Sequence, residues 1–177
     1  MIEFERLSKV TQYKEEFIEL FRQLENYLDQ FIIFKSEDQR TVLVNWIVHT
    51  HLIHLFSATP YLHIYSAELR CGKTLLMNLL HQLSRKSIST VNITDAVFRF
   101  INDKEPTLII DEVDRFFGEE RTAIEGILNA GFIRYGGGVP RTVGNSHEPT
   151  NFEVFCPKVF SGIGKGAIAN TLRDRSI

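Results

Sequence analysis

The stretch SAELRCGKTLLMNLL, residues 66–80, carries the residue types of a phosphate-binding loop. Its pattern A-x-x-x-x-G-K-T runs from Ala67 to Gly72, Lys73 and Thr74, between a predicted strand and a predicted helix. In such a loop, backbone N–H groups wrap a polyphosphate, the lysine contacts the β- and γ-phosphates, and the threonine hydroxyl binds Mg²⁺. Four variable residues complete the loop and are expected to turn their side chains outward: Glu68, Leu69, Arg70 and Cys71. We predict a working phosphate loop here, the alternative being a chance G-K-T before an ordinary helix.

A pair of acids ends a second apolar segment downstream of the loop. The segment TLIIDEVD, residues 107–114, places Asp111 and Glu112 at the end of a predicted strand. In phosphoanhydride hydrolysis, an aspartate at this position holds Mg²⁺ and the neighbouring glutamate polarises the attacking water. An acid pair after a strand is by itself typical of a loop start, but its combination with a phosphate loop favours hydrolysis.

The strands and helices that would position these residues can be located from the hydrophobic pattern. An amphipathic helix is predicted over residues 9–33, and a capping box at residues 36–39 begins a long apolar helix that Pro60 would stop. Strands and helices then alternate, with strands at 61–67, 88–94 and 107–113 and helices at 73–84, 95–103 and 119–132. This alternation predicts an α/β fold, a parallel sheet flanked by helices on both faces.

The pattern changes after residue 137. The arms VPRTV (139–143) and FEVF (152–155) enclose the polar segment GNSHEPTN and predict a projecting β-hairpin. The segment KVFSGIG, residues 158–164, then predicts a last core strand.

The length, composition and charge of the chain limit the class of protein that it can be. A chain of 177 residues with 44% hydrophobic residues favours one sizeable core. Two distant cysteines indicate neither a zinc site nor disulfides, and with no membrane-spanning segment in the sequence the expected location is the cytoplasm. The net charge is −2, yet residues 131–177 carry six basic and three acidic residues. This basic third predicts a surface for a polyanion such as nucleic acid, or a solvated surface with no such role.

Five segments together resemble a known family: YLHIYSAELRCGKT, TLIIDEVDRFFG, ILNAGFIRYGGGVPRTVG, FEVFCPKVFSGIGKG and TLRDRSI. They are similar to the domain-of-unknown-function 3631 ATPases of phage- and plasmid-type replication and primase-helicase proteins, which belong to the P-loop group with AAA+ proteins and superfamily-3 helicases. The resemblance spans roughly residues 40–177. Together with the hydrophobic pattern it predicts a helical segment at residues 1–58 and a P-loop ATPase core at residues 59–177. It also implies that a final strand and a helical lid would begin where this sequence stops.

The resemblance implies roles for further residues. Ser161 matches the sensor-1 position, which orients the attacking water, and Arg173 or Arg175 matches an arginine finger that reaches a neighbouring subunit. The hairpin at residues 138–156 resembles a DNA-gripping element, with Arg134 and Arg141 as its phosphate contacts. ATP and Mg²⁺ are the implied cofactors, and single-stranded or duplex DNA and a homo-oligomeric ring the implied partners.

The leading hypothesis is therefore a Mg²⁺-dependent ATPase of the DNA helicase or translocase type. Three alternatives remain at this point: a nucleotide-gated binding module with little turnover, a small-molecule kinase, and a degenerate ATPase fold with a structural role. The acid pair and the hairpin favour water over a small molecule as the phosphate acceptor.

Overall fold

Two helices form the amino-terminal part of the chain. In this computed structural model, which describes residues 2–66, 72–90, 94–113, 118–142, 149–163 and 170–177, helix α1 spans Ile2–Asp29 and helix α2 spans Glu37–His51. The capping box begins α2 as predicted, because the Gln39 amide donates to Ser36 Oγ at 3.3 Å. Gln39 Oε1 accepts from the Lys35 amide, one residue earlier than the ideal box requires.

The predicted end of α2 at Pro60 is wrong. The Leu52 amide divides its hydrogen bond between Val48 O (3.3 Å) and His49 O (3.1 Å). This tightens the last turn toward the 3-10 form, and a 3-10 helix follows at Ile53–Leu55. The chain divides into two compact units, Met1–Trp46 and Ile47–Ile177, and all strands of the described residues lie in the second.

The second unit is built on a four-stranded parallel sheet. In chain order the strands are β1 (Leu62–Ser66), β2 (Ile88–Thr90), β3 (Leu108–Ile110) and β6 (Lys158–Ile163). Their order across the sheet is β1-β6-β3-β2, and each neighbouring pair is parallel. The connecting helices are α3 (Lys73–Leu83), α4 (Asp95–Lys104) and α5 (Gly118–Ala130). The α/β prediction of a parallel sheet flanked by helices is confirmed.

The carboxyl-terminal residues extend this sheet beyond β1. After the short helix α6 (Asn170–Arg173), the Tyr61 amide donates to Arg175 O and the Ile177 amide donates to Tyr61 O, both at 2.9 Å. The His63 amide then donates to Ile177 O at 3.0 Å. Residues 175–177 therefore run parallel to β1 on the side opposite β6.

The core lies between the sheet and its helices. All three residues of β3 are buried, as expected for a strand inside a parallel sheet with both faces covered. Leu108 and Ile110 pack in one cluster with buried side chains of α4 and α5, among them Phe98, Ile101, Ile127 and Leu128. Among the described residues, no helix is long and apolar enough to cross a membrane.

An antiparallel hairpin precedes β6, as predicted, but its bounds differ. Its strands are β4 (Val139–Thr142) and β5 (Pro149–Phe152), so β5 uses residues that were assigned to the polar segment. The predicted second arm FEVF is wrong, because the chain from Val154 onward enters the core and is buried. The hairpin packs against the body of the unit at Phe152, because the ring centres of Phe152 and Phe98 lie 6.0 Å apart. Residues 143–148, between the strands, lie outside the described part.

Candidate functional site

The strand order brings three distant segments to one edge of the sheet. Strand β6 lies between β1, which leads toward the predicted phosphate loop, and β3, which leads into Asp111 and Glu112. Because all these strands are parallel, their carboxyl ends meet at the same edge, where open α/β sheets bind ligands. Ser161 in β6 pairs with Ile64 of β1, one position past the pair of Phe160 with Ile110 of β3.

Ser161 joins the two acids through a hydrogen-bonded cluster. Its fully buried hydroxyl donates to Asp111 Oδ1 through a short hydrogen bond and accepts from the Glu112 amide at 3.2 Å. The same amide also donates to Asp111 Oδ1 at 3.0 Å. These bonds fix the orientation of the Asp111 carboxylate and bring Ser161 to the acid pair. The catalytic role of each residue stays a prediction.

Glu112 has a strained backbone at this point. Its φ is +56°, in the left-handed region that residues with a Cβ adopt at a cost of about 1 kcal/mol or more. The Glu112 amide donates hydrogen bonds to Asp111 and Ser161, and these bonds hold the backbone in this conformation. Glu112 itself is exposed. The bend turns the chain at the end of β3, so that Glu112 reaches the surface while Asp111 stays half-buried. No sequence pattern signals this conformation.

The predicted phosphate loop is described only at its carboxyl end. Five predicted site residues lie outside the described part: Ala67, Glu68, Leu69, Arg70 and Cys71. Gly72 has φ +86°, a left-handed conformation that suits glycine, and Lys73 and Thr74 form the start of α3. Gly72 precedes the helix and has no side chain that could cap it. The first turn of a helix presents amides that have no intrahelical acceptor. Such a terminus favours anions.

The chemistry of these side chains suits Mg²⁺. Mg²⁺ prefers oxygen ligands and is usually held by one or two protein groups together with waters and substrate phosphates. Asp111 supplies a carboxylate and the exposed Thr74 supplies a hydroxyl, both at chain segments that lead from the same sheet edge. Within the described ranges, no group of three or more His, Cys, Asp or Glu side chains could hold a metal ion alone. A metal here would therefore need phosphate and water ligands as well.

The two candidate arginine fingers differ in their surroundings. Arg175 donates from Nη1 to Asn129 O at 2.9 Å, and its guanidinium lies 5.5 Å from the ring of Phe132. Arg173 is exposed and lines a cavity of about 180 Å³ with His63 and Tyr65. Arg173 is therefore better exposed for a contact with another molecule.

Arg134, a predicted nucleic-acid contact, is held within its own unit. Its guanidinium forms an ion pair with Glu105, donates to Ile53 O (3.1 Å) and Phe56 O (3.3 Å), and lies 4.4 Å from the centre of the Phe155 ring. Its side chain is 21% exposed. These contacts give Arg134 a structural role, whatever it does toward nucleic acid.

Arg141, the second predicted nucleic-acid contact, lies on the hairpin strand β4. Its guanidinium stacks 4.4 Å from the centre of the Phe98 ring on α4, and the residue is half-buried. Stacking over a ring neutralises none of its charge, so the position is compatible with a phosphate contact.

No sequence pattern signals the environment of Lys158, the first residue of β6. Its side chain is completely buried, and its Nζ donates to Val154 O (2.8 Å), Cys156 O (2.9 Å) and Gly131 O (3.2 Å). Burial lowers the pKa of Lys158, and burial also raises the pKa of the neighbouring Cys156 thiol. This lysine crosslinks three loop carbonyls at the amino end of β6.

Comparison with known proteins adds no relative. No protein-family model matches the chain, and no curated protein matches it significantly. The resemblance to the domain-of-unknown-function 3631 ATPases rests on the quoted motifs.

Proposed function

We propose that this protein is a Mg²⁺-dependent ATPase of the P-loop type, which binds ATP at the amino end of α3 and hydrolyses it at the acid pair. The observation that carries the proposal is the hydrogen-bonded cluster of Ser161, Asp111 and the Glu112 amide. It lies where a strand that leads to a G-K-T sequence and a strand that leads to two acids flank the same central strand.

Each residue then has a distinct task. Lys73 would place a positive charge beside the β- and γ-phosphates, and Thr74 and Asp111 would hold Mg²⁺, which would neutralise charge on the phosphates. Ser161 fixes the Asp111 carboxylate, and Glu112 orients and polarises the attacking water. With water as the acceptor, the γ-phosphate is released as inorganic phosphate, and the exposed position of Glu112 suits a group that must meet water.

We further propose that this ATPase acts on DNA within a ring of identical subunits. The basic carboxyl-terminal third, the hairpin strands β4 and β5, and the exposed Arg173 support this proposal. Arg141 is the better test of DNA contact, because Arg134 is tied to Glu105 and to backbone carbonyls. If Arg141 contacts a phosphate of single-stranded DNA, Arg141→Ala should reduce the slope of log affinity against log salt by about 0.7.

Binding of Mg·ATP to Lys73→Ala tests the proposal. We expect isothermal titration calorimetry to detect Mg·ATP binding to the wild type and to find it reduced at least about 100-fold in the variant, since a charge-assisted contact to phosphate is lost. Lys104→Ala, which removes an exposed lysine at the end of α4, is the matched control and should bind like the wild type. Equal affinity of Lys73→Ala and Lys104→Ala would refute a phosphate loop.

A further inference from the structure

The hairpin that precedes β6 turns one of its faces toward the body of its unit. In the register of β4 and β5, Val139 lies opposite Phe152 and Arg141 lies opposite Thr150, so these four residues share a face. On this face Phe152 is buried and Val139 and Arg141 are half-buried, whereas the other two residues of β4 are exposed. Arg141 therefore belongs to the face by which the hairpin packs.

Phe98 of α4 is the residue against which this face packs. The ring of Phe98 is fully buried in the core cluster, and its centre lies 4.4 Å from the carbon of the Arg141 guanidinium and 6.0 Å from the centre of the Phe152 ring. One turn along the same helix, Asn102 Oδ1 accepts a hydrogen bond from the Glu153 amide at 3.0 Å. These contacts fasten the hairpin to α4 and hold the Arg141 side chain against a ring that core packing keeps in place.

Arg141 is the cation of otherwise uncharged hairpin strands. The strands read VPRT and PTNF. No ion pair joins Arg141 to a carboxylate in the part of the chain that the structure describes. A guanidinium that stacks on an aromatic ring keeps the N–H groups at its edge for other acceptors. Phosphate oxygens match this planar fork in a bidentate contact.

We propose that Phe98 positions Arg141 for a phosphate of single-stranded DNA. Phe98 is buried and acts through Arg141, because the stacked guanidinium is already ordered and loses little conformational freedom when it binds. Lysine carries the same charge but lacks the planar fork, so the contact depends on arginine and not on charge alone. The inference rests on the proposed DNA function, which supplies the ligand. The alternative is that the stack only fastens the hairpin to α4.

Fluorescence anisotropy of a labelled oligothymidine strand, with the full chain and Mg·ATP at several salt concentrations, tests the role of the stack. We expect Arg141→Lys to bind the strand about fivefold more weakly than the wild type at every salt concentration, because the charge stays and the stacked fork is lost. The slope of log affinity against log salt should therefore stay that of the wild type, unlike the slope of Arg141→Ala. Arg22→Lys, at an exposed arginine of α1, is the matched control and should bind within about twofold of the wild type.

The outcomes separate this inference from the proposed function. Equal affinity of Arg141→Lys and Arg22→Lys would overturn the inference and leave the proposed DNA binding intact. A wild type that does not bind the strand would refute the proposed DNA function and this inference together.

A second variant tests Phe98 itself. Phe98→Leu removes the ring and keeps an apolar side chain in the core, and we expect the same loss of DNA affinity, about fivefold, with an unchanged salt slope. The double variant of Phe98→Leu and Arg141→Lys should bind no more weakly than either single variant, since both remove one interaction. Ile101→Val, which trims another fully buried residue of α4, is the control for a loosened core and should keep wild-type DNA affinity. Additive losses in the double variant, or an equal loss in Ile101→Val, would contradict a positioning role for Phe98.

Discussion

The two ends of strand β6 use polar side chains in opposite ways. At the amino end, the buried Lys158 donates to three backbone carbonyls. At the carboxyl end, Ser161 bonds to the Asp111 carboxylate and to the strained Glu112. The first arrangement satisfies a buried charge and ties loops together, whereas the second orders polar groups at the sheet edge that leads to the predicted phosphate loop. One six-residue strand thus separates a stabilising end from an end suited to chemistry.

This difference predicts that a substitution at the carboxyl end of β6 lowers ATP turnover strongly and stability only slightly. Ser161→Ala should lower the ATP turnover number about 100-fold, because the Asp111 carboxylate loses the hydroxyl that orients it. The free energy of unfolding should fall by only about 1–2 kcal/mol. Phosphate release and urea denaturation measure the two effects. Ser89→Ala, at an exposed position of β2, is the control and should change neither.

A substitution at the amino end of β6 should lower stability and leave turnover unchanged. A Cβ added at Gly131 would collide with Lys158 Nζ and Val154 O and would lie 2.7 Å from Ile127 O, and backbone atoms cannot move away cheaply. We expect Gly131→Ala to lower the free energy of unfolding by about 2 kcal/mol and to leave turnover per folded molecule unchanged.

A glycine of the preceding helix provides the control for that variant. At Gly126, within α5, an added Cβ would meet only the Val139 side chain, at 3.8 Å. Gly126→Ala should therefore be neutral or stabilising by up to about 1 kcal/mol, since alanine favours helix. Equal losses of stability in Gly126→Ala and Gly131→Ala would mean that the packing around Lys158 is not the cause.

The smallest expected effect is a change in the pKa of His63 on removal of the Arg173 charge. Arg173 and His63 line the same cavity, and His63 in β1 lies opposite Phe160 of β6. Burial lowers the pKa of His63 below 6.5, and the charge of Arg173 lowers it further, whereas burial alone lowers the pKa of His49. We expect Arg173→Ala to raise the pKa of His63 and to leave that of His49 unchanged, as measured by NMR titration. An unchanged pKa of His63 would show that the charge of Arg173 does not act on this histidine.

The same two histidines make stability depend on pH. In the unfolded chain each ring titrates near 6.5, and in the folded chain each binds a proton more weakly. Between the lowered pKa and 6.5 the unfolded state therefore holds more protons, so the free energy of unfolding falls as the pH falls through that window. Thermal denaturation across this range should show a lower melting temperature on acidification, and His63→Gln should weaken the dependence.

Local sequence patterns predicted most elements of the fold and fewer details of the site. Apolar periodicity predicted the strands and helices of the parallel sheet, and the capping box predicted the start of α2. The end of α2 was missed because a 3-10 turn is a matter of local hydrogen bonding that periodicity does not encode. The left-handed Glu112 and the buried Lys158 were not predictable, since each depends on partners far away in sequence.

The most direct test of the account compares ATP binding and hydrolysis in Glu112→Gln. The substitution keeps the size of the side chain and removes the charge that polarises water, while Lys73, Thr74 and Asp111 remain to hold Mg·ATP. We predict that Mg·ATP affinity stays within about threefold of the wild type and that phosphate release falls at least about 100-fold. Glu153→Gln, at an exposed residue after β5, is the matched control and should retain both. Unchanged phosphate release in Glu112→Gln, or loss of binding together with turnover, would contradict the account.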